Sequence, residues 1–283
     1  MTFRVVGTAS PSYPGLLDAL GDTRPGNLFL LGDESHLKPP TVAIVGTRNA
    51  TGYGMRITRR IASAFAEAGV SVISGMARGI DAAAHRSALD AGGRTVAVLG
   101  TGIDVPYPVG HRELHRTLGE KACVVSEYGP GVRAHRGTFP RRNRIIAGLA
   151  PVTIVIEAGT RSGALLTAGF AESLNRTVAA VPGPIDSPQS AGCNELIRDR
   201  AHVIASVADA LALVGIAAPE ERAPLRLSGI DAEVWKALAA GPLDANAISA
   251  RTRVTIRECL AAITALELEG FVEVLLTGEV RRR

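Results

Sequence analysis

The sequence is short of cysteine, lysine and long apolar runs, and each shortage excludes a class of protein. Its 283 residues include three cysteines, Cys123, Cys193 and Cys259, which lie far apart and form no Cys-x-x-Cys pair. That excludes a disulfide framework and a zinc site of ordinary spacing, and it fits a reducing cytoplasm. The longest weakly polar stretch, Val203 to Ala218, contains Asp209 and is too short to span a bilayer; the first residues lack the apolar stretch of a signal peptide. The expectation is a soluble cytoplasmic protein with no membrane association, no metal and no cofactor. Among 31 basic residues only Lys38, Lys121 and Lys236 are lysines. A genome rich in arginine codons explains that ratio, but it does not explain where the arginines fall.

What is present is enough apolar chain, 46% hydrophobic against 20% charged, for one sizeable core and a small second one, which excludes a disordered tail or a fibre. The net charge of +4 hides an uneven distribution. Residues 41–150 hold 15 Lys or Arg against 7 Asp or Glu, a local +8, so the remaining 16 basic and 20 acidic residues give −4. Through this middle region short β-branched runs alternate with helical stretches. The runs are Val42–Val45, Val70–Ile73, Thr95–Leu99, Cys123–Ser126, Val152–Ile156 and Thr177–Val181; helices are expected over about Tyr53–Ala68, Asp81–Leu89 and Gly163–Ser173. Continuous apolar runs are what strands buried on both faces look like, so the pattern predicts an α/β, doubly wound, mostly parallel sheet covered by helices.

Residues 1–40, with Tyr13-Pro14, Pro25 and Pro39-Pro40, are expected to be a lead-in packed on the sheet, and 41–216 to be the main domain. Residues 217–224 are Pro-rich, charged and without apolar period, which reads as a linker. In residues 225–283, Asp231–Ala240, Asp244–Ala250 and Thr255–Leu268 read as helices, and Phe271–Val280 as a hairpin around Thr277-Gly278. Three helices and a hairpin make a winged helix. Its third helix carries Arg257 but also Glu258, Glu267 and Glu269, and the segment balances 8 basic with 8 acidic residues. A duplex-reading module shows a basic footprint, so protein contact is favoured over DNA contact for this one.

Five segments carry candidate chemistry. The strand ending in Gly46-Thr47-Arg48, followed by a helix, offers free amides, a positive dipole end and an arginine fork, all suited to phosphate, although neither dinucleotide nor Walker spacing is present. Ser74-Gly75 to His85 is again strand, glycine loop and helix. There Asp81 reads as an N-cap carboxylate, with an Asp81/His85 acid–base couple as the alternative. Gly100 to Pro108, leading into His111 and Arg112, falls on the carboxyl edge of the sheet. From Gly131 to Arg144 stand five arginines (Arg133, Arg136, Arg141, Arg142, Arg144) and no acid, with Phe139 among them. Positive charge tracks a sugar-phosphate backbone and an aromatic face stacks any base, a combination suited to a single strand. Val155 to Ala168, with Arg161, Ser162 and Gly163, would complete a ring of anion-friendly helix starts along one sheet edge.

Taken in order, Ile44–Arg48, Ser74–His85, Gly102–Pro108, Ser126–Tyr128, Phe139–Ile146, Glu157 with Ser162-Gly163, and Val181–Gly183 resemble the DprA family of DNA-processing proteins, also called Smf. The trailing winged helix resembles that family's C-terminal domain. The resemblance implies an extended Rossmann-like domain that binds single-stranded DNA without catalysing a reaction, and duplex DNA weakly at most. It implies a homodimer that loads the recombinase RecA onto strands coated by single-strand-binding protein, during natural transformation and homologous recombination. By the same resemblance the DNA-binding residues are Gly46, Thr47, Arg48, Ser74, Gly75, Arg112, Phe139, Arg141, Arg142, Asn143, Arg144, Ser162 and Gly163. Where many members have a lysine after Tyr107-Pro108 this chain has Val109, with Arg112 close behind. The dimer and RecA contacts would lie at about Gly192 to Val214.

Two other readings compete. A nucleotide hydrolase of the lysine-decarboxylase-like type would use Glu157, Asp81 and His85, but its Pro-Gly-Gly-x-Gly-Thr-x-x-Glu signature is not reproduced at Glu157 to Gly163. A winged-helix transcription regulator is disfavoured by the neutral wing domain.

Overall fold

In the computed structural model the chain divides into two compact units, Met1–Ala218 and Pro219–Arg283. The structure describes every residue except Met1, Arg136, 218–226, Glu269, Gly270, Leu276 and Arg283. Most of the expected linker, 218–224, therefore lies outside the described residues.

The larger unit is built on one nine-stranded sheet. Its strands are β1 (Phe3–Gly7), β2 (Asn27–Gly32), β3 (Thr41–Val45), β4 (Ser71–Ser74), β5 (Thr95–Leu99), β6 (Cys123–Ser126), β7 (Val152–Val155), β8 (Thr177–Ala180) and β9 (His202–Val203), in the spatial order 1-2-6-5-4-3-7-8-9. From β6 across to β9 every pairing is parallel. The order runs one way from β3 to β6 and the other way from β3 to β9 through β7, the doubly wound arrangement whose ligand crevice opens at the carboxyl ends of β3 and β7.

The residue alternation within each strand explains the layers. Val42 and Ile44 face a cluster with Ile61 and Phe65 of helix α1 (Gly52–Glu67) and Ala84 and Ala88 of α2 (Ile80–Asp90). Leu99 faces Leu114 and Leu118 of α3 (Arg112–Lys121) on that side. Ala43 and Val45 face Ile145 and Ile146 of α4 (Thr138–Gly148) and Ala164 and Ala168 of α5 (Gly163–Ser173), with Cys193 of α6 (Ala191–Asp199) in the same cluster. The short α7 (Val207–Ala212) completes the first layer through Leu211. Phe65 is fully buried, and each such side chain stabilises the fold by roughly 1.5–3 kcal/mol.

The first forty residues, expected as a lead-in packed on the sheet, add two strands to its edge. β1 pairs antiparallel with β2, and β2 antiparallel with β6. The 3₁₀ segment Gly15–Thr23 lies on a face, where Leu17 and Leu20 pack so tightly on Gly148 of α4 that a Cβ there would meet both, and Tyr13 and Leu37 are buried in the same core cluster. The alternation of exposed Val5 and buried Val6 is the mark of an edge strand with one face on the core.

The smaller unit has helices α8 (Gly229–Ala237), α9 (Ala245–Thr252) and α10 (Ile256–Leu268) and a three-stranded sheet of β10 (Leu243–Asp244), β11 (Val272–Val274) and β12 (Glu279–Arg282), in the order 10-12-11. Val234, Ile248, Cys259, Ile263, Leu266, Val272 and Val280 form its core, and Arg282 lies 4.3 Å from the centre of the Trp235 ring. Glu258, expected among the acids of a reading helix, instead caps α10 by accepting from the Thr255 N–H at 3.1 Å. Glu269 lies outside the described residues.

Candidate nucleic-acid interface

A cleft of about 750 Å³ opens at the switch point, lined by Val45 to Arg48 at the end of β3, Gly159 to Thr167 between β7 and α5, and Phe139, Pro140, Arg142 and Asn143 of α4. A smaller lobe of about 210 Å³ adjoins it beyond Arg48 and Phe139, bounded by Gly75, Arg78, Tyr107, Pro108 and Arg142. Arg48 and Phe139 line both, so they form the partition. The Arg48 guanidinium stands 5.8 Å from the Phe139 ring centre, and Phe139 leans on Tyr107 with centroids 4.8 Å apart. Arg48 is exposed and Phe139 half-buried. A cation beside an aromatic ring at the cleft wall puts a phosphate contact and an aromatic surface within one nucleotide's reach.

The loops are held from below. Gly46 sits where a Cβ would strike Ile80 and the Glu157 carbonyl, and the Thr47 N–H donates to that carbonyl at 2.7 Å. Asp81 was expected to cap α2, but the capping position belongs to Gly79, whose φ of +76° suits glycine. Asp81 is instead buried in the first turn, where its carboxyl accepts from the amides of Ala77, Gly46 and Gly75 and so pins two loops together. Burial raises its pKa and the nearby Arg142 opposes that rise. His85 does not face it: His85 Nδ1 pairs with Thr95 Oγ1 at 2.7 Å, and burial, reinforced by Arg142, pushes the imidazole down to about 3. The acid–base couple is not assembled.

The basic run of the sequence is a helix from Thr138 onward, and the helical period sends its members in different directions. Arg141 points outward, with its Nε 3.5 Å from Glu127. Arg142 turns under the cleft floor, donating to the carbonyls of Gly75 at 2.6 Å and of Val98, and burial lowers its pKa to about 10. Arg144 is buried on the far side. It forks onto Glu127 at 3.0 and 2.8 Å and donates through Nε to the Thr23 carbonyl at 2.9 Å. Its expected place in the DNA site is therefore corrected, because its donors are already committed to the protein.

Of the other expected residues, Gly46, Thr47, Arg48, Phe139, Asn143, Ser162 and Gly163 meet at the main cleft, and Gly75 at the smaller lobe. Ser74 is brought close but is closed off, fully buried with its hydroxyl on the Ile44 carbonyl at 2.6 Å. Arg112 begins α3, exposed and outside the lining of either lobe, and Arg141 likewise lines neither. Arg136 lies outside the described residues. Arg161, expected with Ser162 and Gly163 to offer donors, lines the main cleft, and the smaller lobe adds Arg78 and Tyr107, which lie inside the expected motifs but were not singled out. Each stands in a glycine- or proline-bearing loop at a strand's carboxyl end, which was signal enough to find them.

Glu157, buried at 2% exposure, accepts from the Thr51 amide at 2.9 Å and from the Thr51 hydroxyl at the start of α1, and fits against Gly54, where a Cβ would overlap it. Among the described residues there is no cluster of three or more His, Cys, Asp or Glu side chains able to hold a metal, and no helix long and apolar enough to cross a membrane.

Comparison with known proteins agrees with this layout. Residues 4–215 match the family model described as DNA recombination-mediator protein A, and 218–275 match the DprA winged helix domain. The chain is 42% identical over 243 residues to the putative DNA processing protein DprA of Mycobacterium tuberculosis, covering 83% of this chain and 62% of that protein. To protein Smf of Synechocystis it is 44% identical over 209 residues, 72% of this chain and 52% of the relative. The chain thus spans less than two thirds of either. The X-ray structure of DNA processing protein A from Streptococcus pneumoniae superposes with a TM-score of 0.72 at 41% identity, covering 75% of this chain and 74% of that one. DNA processing protein A from Helicobacter pylori, whose structure is reported for its single-stranded DNA binding mode, gives 0.67 at 27% identity, covering 76% and 95%. The chain belongs to the DprA/Smf family, a Rossmann-like domain of the DNA recombination-mediator type followed by the family's winged helix.

Proposed function

We propose that the protein binds single-stranded DNA in the switch-point cleft, as a mediator rather than an enzyme. The observation that carries the reading is the partition of Arg48 over Phe139 backed by Tyr107, an exposed cation beside a half-buried ring that lines both lobes of the cleft. Backbone phosphates would follow Arg48, Arg78 and Arg161, all exposed, while a base stacks on Phe139. A nucleotide hydrolase finds less support: Glu157 is engaged in capping α1, and His85 is sealed beside Thr95. The strand so held would be passed to the recombinase RecA in exchange for single-strand-binding protein, by a homodimer, in natural transformation and homologous recombination. The family's description as a recombination mediator supports that step.

The test is fluorescence anisotropy with a labelled oligonucleotide. Arg48→Glu should lower affinity at least about tenfold, since charge-assisted hydrogen bonds are the strong ones. Arg48→Ala should lessen the slope of log affinity against log salt by about 0.7. Phe139→Ala should weaken binding with little change in that slope. Wild-type affinity in Arg48→Glu sinks the assignment of the cleft, and a failure to stimulate RecA strand exchange on coated DNA sinks the loading step.

A further inference from the structure

Three glycine loops on the sheet edge lead into helix starts, and they are not equivalent. At α1 the Glu157 carboxylate already occupies the Thr51 amide and hydroxyl. At α2 the Asp81 carboxyl takes the loop amides of Ala77, Gly46 and Gly75. An external anion at either start would meet a carboxyl group of the protein's own. At α5 the cap is neutral: among the described residues Ser162 Oγ accepts from the Ala164 N–H at 3.3 Å, and Gly163, the first residue of the helix, lines the cleft.

A second observation falls in the same place. Thr167, one turn into α5 on the side of Gly163, lines the cleft at 2% exposure, and its hydroxyl has no hydrogen-bond partner among the described residues. Three helical threonines close on the carbonyl four residues back, Thr58 on Gly54 at 2.7 Å, Thr252 on Ile248 at 2.8 Å and Thr264 on Leu260 at 2.9 Å. For Thr167 that carbonyl is Gly163, which instead accepts from Asn143 Nδ2 at 3.2 Å. Asn143 thereby leaves the hydroxyl of Thr167, a residue 2% exposed on the cleft wall, free to donate to a group in the cleft.

We propose that the start of α5 seats a phosphate monoester, with the Gly163 amide and Thr167 hydroxyl donating to it and Arg161 at the rim. Thr167 is buried, so the seat lies deep in the cleft rather than along its lip. A continuous phosphodiester would have to enter and leave that depth, whereas a terminal phosphate enters once and brings more charge and one more free oxygen. The same group is offered by the phosphorylated end of a strand and by a free nucleoside monophosphate.

This inference rests on the reading of the cleft as a single-strand site, and one experiment separates the two. Affinities are measured for an unphosphorylated oligonucleotide and for the same strand phosphorylated at its 5′ or its 3′ end, with dTMP as competitor. Absence of binding by the unphosphorylated strand overturns the single-strand reading. With that binding present, one phosphorylated end should tighten it about tenfold if the seat takes strand ends, as expected when a hydroxyl donor gains an ionised acceptor. If it takes free nucleotides, dTMP should displace the strand. Equal affinities together with no displacement by dTMP overturn the seat. Thr167→Val should bring the ratio of phosphorylated to unphosphorylated affinity, or the competition by dTMP, close to nothing, while Thr167→Ser retains it; an undiminished effect in Thr167→Val removes Thr167 from the seat. Should the valine variant fail to fold, the wild-type comparison and the dTMP titration still decide.

Discussion

The arginines of the loops and the arginines of α4 stand close together around one cleft, yet they do opposite work. Arg48, Arg78 and Arg161 sit on strand-end loops, exposed, with no ion pair among the described residues. Arg142 and Arg144 are 5% and 7% exposed, and their donors end on Gly75, Val98, Glu127 and Thr23. The first set can exchange water for a phosphate at little cost. The second has already lost its water and spends these donors on the protein, although Arg142 also lines both lobes. Charge density along a sequence therefore overstates the charge available to DNA, and the difference can be broken from either side.

The largest effect is expected at Arg144. Arg144→Ala leaves the Glu127 carboxylate, 6% exposed, without its bidentate partner, and removal of one member of a buried pair costs about 3–5 kcal/mol. Urea unfolding should show that loss, while the folded fraction keeps its oligonucleotide affinity to within a few fold. A variant as stable as wild type but unable to bind DNA would place Arg144 back among the ligand contacts.

Gly75→Ala tests whether the two sets are mechanically linked. A Cβ at Gly75 would overlap the Arg142 guanidinium, which must then leave the carbonyls of Gly75 and Val98 or push α4 aside. Overpacking of this kind costs about 1–3 kcal/mol. Because Phe139 lies one helical turn before Arg142 on α4, single-strand affinity should fall together with stability. A loss of stability with unchanged affinity would mean that the floor and the partition move independently.

The parallel strands β3 to β8 were legible because their runs are apolar on both faces, and the smaller unit because its helices and hairpin have clean periods. β1 and β2 were not, since residues 1–40 read as a lead-in without strands of its own, although Val5 and Val6 alternate as an edge strand does. The glycine loops marked the sheet edge at which the cleft opens. What the sequence concealed was helix α4: Pro140 lies in its first turn, where proline is tolerated, and the arginine run masks a 3.6-residue period that buries Arg142 and Arg144. Nor could sequence separate three similar helix starts, because the carboxyl groups that close two of them come from elsewhere: Glu157 stands more than a hundred residues beyond α1, and Asp81 reaches back to its own loop and to Gly46.

The smallest effect is expected at Arg112, the arginine close behind Val109, which stands where many family members have a lysine. It is the first residue of α3 and lines neither lobe, while its neighbour His111 turns inward, Nδ1 at 2.9 Å from the Met76 carbonyl. Arg112 is thus an exposed loop-end arginine on the right edge of the sheet but beyond the rim, and it separates two explanations of affinity. If contact with the strand sets affinity, Arg112→Ala should change stability by less than about 0.5 kcal/mol and oligonucleotide binding by less than about twofold at physiological salt. If the summed field of the +8 region sets it, Arg112→Ala should weaken binding as much as Arg48→Ala does, and equal losses in the two variants would erase the distinction between arginines that reach the cleft and arginines that merely stand near it.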